Sequence, residues 1–148
     1  MEAETVLHME WSAQGKRLRV EPAAIARHVN YSLWRSWIQV QVLAGRLFGG
    51  LRAETWPRRR HLFYAAASPL IPAVRLWRSA KEFTRPGRSI WRLLRMLPAL
   101  ALGLALDGFG QCLGYLLGPG DAMERLARYE FNRVEHVREE ERGLWISQ

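Results

Sequence analysis

The hydrophobic pattern of the chain is uneven, and its longest apolar run lies late, from Met96 to Leu117: 22 residues with one charge, Asp107. A bilayer core of roughly 30 Å needs about 20 such residues as a helix. The element is read as Ile90 to Leu117, with Arg92 and Arg95 at its wet edge and Pro98 near its start, where a first turn tolerates proline. Asp107 near its middle requires either a partner helix or a hairpin turning at Asp107-Gly108, because a charged Asp at mid-membrane costs at least roughly 2.5–3.5 kcal/mol.

The clearest amphipathic pattern covers residues 31–54. Leu33, Trp37, Val40, Ala44, Leu47, Phe48 and Leu51 recur at spacings of three and four and line one helix face. Gly45 and Gly49 fall four apart, a spacing that lets helices approach closely in lipid. An interfacial helix with snorkelling arginines fits this segment. Trp56-Pro57-Arg58-Arg59-Arg60 breaks it. The apolar stretch from His61 to Val74 is interrupted by Pro69 and Pro72, each of which should kink or end a helix, so it reads as interfacial or re-entrant. Pro86-Gly87 predicts a turn.

The two ends are more polar. Residues 4–14 predict a short helix stopped at Gly15. Lys16 to Pro22 alternates as a strand does, and Ala24 to Val29 reads as a second short strand. At the other end Asp121 predicts a helix start, with Glu124 three residues on as a capping box. Met123, Ala127, Phe131, Val134 and Val137 form its apolar stripe, and Glu124 with Arg128 a favourable i, i+4 pair. The fold class is therefore mainly α: a short helix–strand remnant of an α/β domain, then amphipathic and membrane-associated helices. The segments divide as 1–30, 31–95 (basic interfacial helices), 96–120 (a transmembrane or re-entrant run) and 121–148 (a polar helix).

Charge sharpens this picture. The net +8 of the 148 residues is concentrated in residues 31–95, which hold 13 basic and two acidic side chains. Both phosphate-rich nucleic acid and an anionic leaflet attract such a block. The neighbouring apolar run favours membrane lipid, with nucleic acid the weaker partner. By the positive-inside rule the basic block should face the cytoplasm, at the cytoplasmic (inner) membrane. The seven Trp suit a headgroup belt. A lone Cys112 forms no internal disulfide. Catalytic signatures are sparse: there is no phosphate loop, Cys-x-x-Cys or His-Glu-x-x-His, and the histidines at 8, 28, 61 and 136 are scattered.

Four stretches carry a resemblance. They are Ala3-Glu4-Thr5 through Gly15-Lys16-Arg17-Leu18; Glu21-Pro22-Ala23-Ala24 with His28-Val29-Asn30; Gly45-Arg46-Leu47-Phe48 with Arg52-Ala53 and then Ser68-Pro69-Leu70-Ile71-Pro72; and Gly114-Tyr115-Leu116-Leu117-Gly118-Pro119-Gly120 followed by Tyr129-Glu130-Phe131. Together they resemble the C-terminal part of a bacterial, membrane-associated family 2 glycosyltransferase. The resemblance implies transfer of sugar from a nucleotide sugar to an acceptor at the cytoplasmic membrane face. It implies a Rossmann-like catalytic half with an Asp-x-Asp metal motif, expected ahead of Met1; no Asp-x-Asp occurs in this sequence. The divalent metal and nucleotide sugar would belong to the complete enzyme, with no cofactor in this chain. By the same resemblance Glu4 stands where the family has its catalytic base, with Ala3 in place of the preceding acidic residue. His28 matches a histidine near the donor pyrophosphate or metal. The chain would then attach to lipid, and to a catalytic domain or subunit, without transferring sugar by itself. The alternative is a stand-alone membrane-interaction protein that binds anionic lipid or a partner subunit.

Overall fold

The computed structural model describes residues 4–17, 19, 23, 29–83 and 90–146. They form a mainly helical protein, with no strand among the described residues. Seven helices follow in order: α1 (Glu4–Ala13), α2 (Trp34–Ala53), α3 (Arg58–Ala67), α4 (Leu70–Phe83), α5 (Ile90–Leu117), α6 (Ala122–Phe131) and, after a 3-10 turn at Arg133–His136, α7 (Glu139–Ile146). The expected strands fall on residues 16–22 and 24–29, most of which lie outside the described residues. Pro86-Gly87 also lies outside them.

The bundle is organised around the pairing of α2 with α5. The two run in the same direction, since Trp37 meets Gly103, Gly45 meets Asp107 and Gly49 meets Gln111. Glycine makes the contact possible. A Cβ on Gly49 would lie 2.6 Å from the Gln111 carbonyl oxygen, and one on Gly114 would lie 2.6 Å from the Gly50 nitrogen. Gly45 and Gly110 are as tightly placed, against the backbones of Asp107 and Val42. Gly45 and Gly49 on α2 thus face Gly110 and Gly114 on α5, two small-xxx-small stripes that bring backbone against backbone.

The other helices flank this pair. α3 and α4 return antiparallel to α5: His61 reaches the Tyr115 carbonyl, Pro72 packs on Gly108 and Arg75 meets Asp107. The chain bends at Ser68-Pro69, where the Ser68 hydroxyl donates to the Tyr64 carbonyl at 2.8 Å. Pro72 breaks nothing, because it lies in the first turn of α4, where the N–H has no intrahelical acceptor. On the far side α6 runs back along α2, with Ala122, Met123, Leu126 and Tyr129 against Leu43, Leu47 and Leu51. The layer order is α3/α4, α5, α2, α6. α2 therefore has two packed faces, glycines toward α5 and leucines toward α6, where the apolar pattern predicts one.

Further expectations are decided by α5 and α6. α5 is unbroken through Asp107-Gly108, so of the two readings open for Asp107 the hairpin falls away and the partner helix stands. α5 begins at Ile90, as the apolar pattern reads it, but Pro98 then lies well past the first turn, an interior proline whose missing N–H leaves the Leu94 carbonyl without its helical donor. Finally, Asp121 makes no side-chain cap on α6. It faces Arg46 at 3.8 Å and Arg125 at 4.0 Å instead. The Gly118-Pro119-Gly120 turn between α5 and α6 is held by Arg46, whose Nε donates to the Gly118 carbonyl at 3.2 Å. Gly118, with φ of 74°, terminates α5 in the left-handed region that glycine adopts without strain.

Candidate functional site

A polar line runs along α5 inside the bundle. Asp107, Gln111 and Tyr115 stand four residues apart and so on one face. Arg75 of α4 donates to Asp107 Oδ2 at 2.5 Å, and Gln111 Nε2 donates to the same oxygen at 2.9 Å. The Tyr115 hydroxyl donates to Gln111 Oε1 at 3.4 Å. Gln111 and Tyr115 are buried. The charge at the middle of the apolar run is thus neutralised by a cation from a neighbouring helix, the partner that Asp107 required. A carboxylate so held is a structural anion, committed to Arg75 and Gln111.

The line ends in an aromatic and cationic cluster at the C-terminal end of α5. Trp56 stacks on Tyr115 with ring centroids 6.0 Å apart and planes at 12°. Tyr64 packs on both, at 4.7 Å from Trp56 and 5.7 Å from Tyr115. Two guanidiniums sit against these rings. Arg60 lies 4.0 Å from the Trp56 centroid, and Arg52 lies 5.4 Å from those of Trp56 and Tyr64. His61 Nδ1 is 2.8 Å from the Tyr115 carbonyl and ties α3 to this end.

A second polar cluster joins the start of α2 to the end of α6. The Tyr31 hydroxyl donates to Glu130 at 2.9 Å, and Arg133 pairs with Glu130 while donating to the Val29 carbonyl at 2.8 Å. Burial and the Glu130 carboxylate push the Tyr31 phenol up to about 12. His136 accepts at its carbonyl from the Ser32 and Leu33 amides and meets the Ser36 hydroxyl at 3.0 Å. Tyr129 donates to Gln39. An open groove of about 360 Å³ beside this cluster is lined by Arg125, Arg128, Tyr129, Asn132, Glu135 and His136. These bonds are mutual, and together they fasten α6 to α2.

The outer surface is strongly apolar on one side of α5. Trp91, Leu94, Leu102, Phe109 and Leu116 are all exposed and recur at helical spacing, with Pro98 and Ala105 between them. The opposite face of α5 carries the glycines and the polar line. The stretch Leu94–Leu117 is long and apolar enough to cross a bilayer, yet little of it is buried in the protein. Leu70, Val74 and Trp77 form a similar exposed stripe on α4, and Leu62 and Phe63 are exposed on α3.

Glu4 opens α1, at its first position. His28 lies outside the described residues. Among the described residues no group of three or more His, Cys, Asp or Glu converges in a way that would hold a metal ion. Sequence reading missed the cluster of Arg52, Trp56, Arg60, Tyr64 and Tyr115. A signal for it was available: Gln111 and Tyr115 continue the spacing of Asp107, and Trp56 precedes three arginines.

Comparison with family models, with curated proteins and with solved structures found no match.

Proposed function

We propose that this chain is a membrane-attachment region, seated on an anionic bilayer by the exposed face of α5 and by its basic helices. The observation that carries the proposal is the apolar stripe from Trp91 to Leu116, left uncovered on a helix whose other face is packed from Gly103 to Gly114. A soluble protein rarely exposes a contiguous patch of that kind. The arginines of α2 to α4 supply the complementary charge, at about 1 kcal/mol per Lys or Arg near an anionic surface.

The seat we infer is interfacial. α5 is bound along its glycine face to α2, which carries Arg35, Arg46 and Arg52, and to α4, which carries Arg75, Arg78 and Lys81. A spanning α5 would draw these charges toward the hydrocarbon, at a cost of roughly 2.5–3.5 kcal/mol for each one left there. An α5 lying in the surface plane buries its stripe beside the exposed apolar side chains of α3 and α4, and leaves the charged faces of the packed helices at the headgroup boundary.

Within this reading, the resemblance to family 2 glycosyltransferases supplies the wider role. The chain would hold at the cytoplasmic membrane an enzyme that moves sugar from a nucleotide sugar to an acceptor, with transfer residing in the Rossmann-like half. The alternative, a stand-alone lipid-binding protein, shares the same surface. Cosedimentation of the full chain with anionic vesicles should be strong and should weaken with added salt. Leu102→Asp with Phe109→Asp should lower partitioning roughly tenfold or more, given about 1–2 kcal/mol of apolar burial lost at each position. Unchanged partitioning of that variant would overturn the proposed seat. Sugar transfer by the chain alone, above a Glu4→Ala control, would overturn the division of labour.

A further inference from the structure

The cluster at the C-terminal end of α5 gathers cations that no carboxylate among the described residues neutralises, with Arg52 also hydrogen-bonded to Tyr115. Arg52 and Arg60 press on the same two rings, Trp56 and Tyr64. Like charges so placed repel unless an anion lies near them. Among the described residues neither guanidinium is ion-paired with a carboxylate, whereas Arg46, Arg75, Arg125, Arg128 and Arg133 each are. Arg58 and Arg59 stand beside them, exposed, in the first turn of α3. Cations at that helix end run against the backbone dipole, which favours negative charge there.

The stacking matters as much as the charge. A guanidinium held against an aromatic ring has fewer orientations to lose when its N–H groups bind a phosphate oxygen pair. Arg52 and Arg60 are therefore held partly in place before any ligand arrives. Phe63, 67% exposed, packs edge-on against Tyr64 at 5.5 Å and so borders the cluster. An oxyanion site bordered by a protruding apolar side chain matches a phospholipid, with its phosphate above and its acyl chains below. A soluble anion would have no use for Phe63.

We propose that Arg52 and Arg60, held against Trp56 and Tyr64, form a headgroup-phosphate site that seats the C-terminal end of α5 at an anionic bilayer surface. The proposal rests on the membrane seat inferred above and adds a specific point of contact to it.

The test is flotation of the full chain with phosphatidylcholine vesicles, with and without phosphatidylglycerol. Arg52→Gln with Arg60→Gln should lower affinity for the anionic vesicles about 25-fold, at about 1 kcal/mol for each guanidinium lost. Arg125→Gln with Arg128→Gln removes equal charge from α6 and should change it less than about twofold, since both already face carboxylates. Arg52→Lys with Arg60→Lys should fall between, because ammonium keeps the charge but loses the fork and the stacking. Arg60→Gln alone, at an exposed position, guards against misfolding and should lose about fivefold. Equal losses for the α2–α3 and α6 pairs would overturn the site in favour of diffuse attraction, as would full binding by the lysine pair. Titration with inorganic pyrophosphate separates the sources. Saturable pyrophosphate binding that needs Arg52 and Arg60, alongside vesicle binding that does not, would overturn the lipid assignment. Binding to single-stranded DNA through the same arginines, with no preference for anionic vesicles, would overturn it too. Absence of vesicle binding by the wild type would instead remove the membrane seat itself.

Discussion

Tyr31 shows how a single side chain sets a pH limit on the fold. Its phenol is pushed from 10.0 up to about 12 by burial and by the hydrogen bond to the Glu130 carboxylate. The raised value means that the folded state holds the proton more tightly than the unfolded chain does. The stabilisation is present in full below pH 10 and is lost as pH rises through 12. Urea melts of wild type and Tyr31→Phe should therefore differ by a constant amount at neutral pH, and the wild type should lose ground between pH 10 and 12. A difference that stays flat over that window would show that the phenol is not so held. Asp107 illustrates a residue whose need was legible before its partner was. A charge inside an apolar run must be neutralised, but nothing in local spacing points to Arg75, which lies 32 positions away and is brought close by the bend at Ser68-Pro69.

At the scale of elements, the bundle depends on glycine where its helices cross. Gly110→Ala would drive a methyl into the Val42 carbonyl, which belongs to a helix backbone and cannot turn aside. Overpacking of that kind costs about 1–3 kcal/mol. It opposes the roughly 1 kcal/mol that alanine gains over glycine in a helix. Thermal melts should show net destabilisation for Gly110→Ala and Gly49→Ala. Gly143→Ala, in α7 with open space around its Cβ direction, should be neutral or stabilising by up to about 1 kcal/mol. Pro98 gives the reverse case. It is exposed and interior to α5, so Pro98→Ala should restore a helix hydrogen bond and raise stability by up to about 3 kcal/mol. A lower melting temperature for Pro98→Ala would mean that the proline sets a bend the packing requires.

The elements themselves were largely legible in the sequence. The helical repeat of 31–54, the apolar run to Leu117 and the start at Asp121 all correspond to helices, and the pair Gly45 and Gly49 does mark a close approach. The rest depended on tertiary context. Periodicity registers one apolar face, whereas α2 packs on two, and its second face is glycine, which hydropathy does not count. Pro72 read as a breaker because the start of α4 was not placed. Asp121 read as a cap because Arg46, from a distant helix, competes for its carboxylate. Of the candidate site residues, Glu4 opens α1 and His28 lies outside the described residues. The aromatic and cationic cluster escaped notice because its members come from α2, α3, α5 and the turn between α2 and α3.

For the whole molecule, the account turns on which surface meets lipid. The apolar stripe of α5 and the exposed Leu70, Val74 and Trp77 of α4 leave a broad apolar surface uncovered, which the proposed seat assigns to lipid. The most direct measurement is a spin-label scan of α5 on anionic vesicles, in a Cys112→Ser background. Labels are placed at Leu102→Cys, Ala105→Cys, Phe109→Cys and Leu116→Cys, with Glu124→Cys as the water-exposed control. Collision with oxygen and with a nickel chelate reports lipid and water exposure respectively. The account predicts that all four stripe positions favour oxygen, at similar shallow depth, while position 124 favours nickel. Nickel access along the stripe, or a depth that peaks midway along α5 as a spanning helix requires, would contradict it.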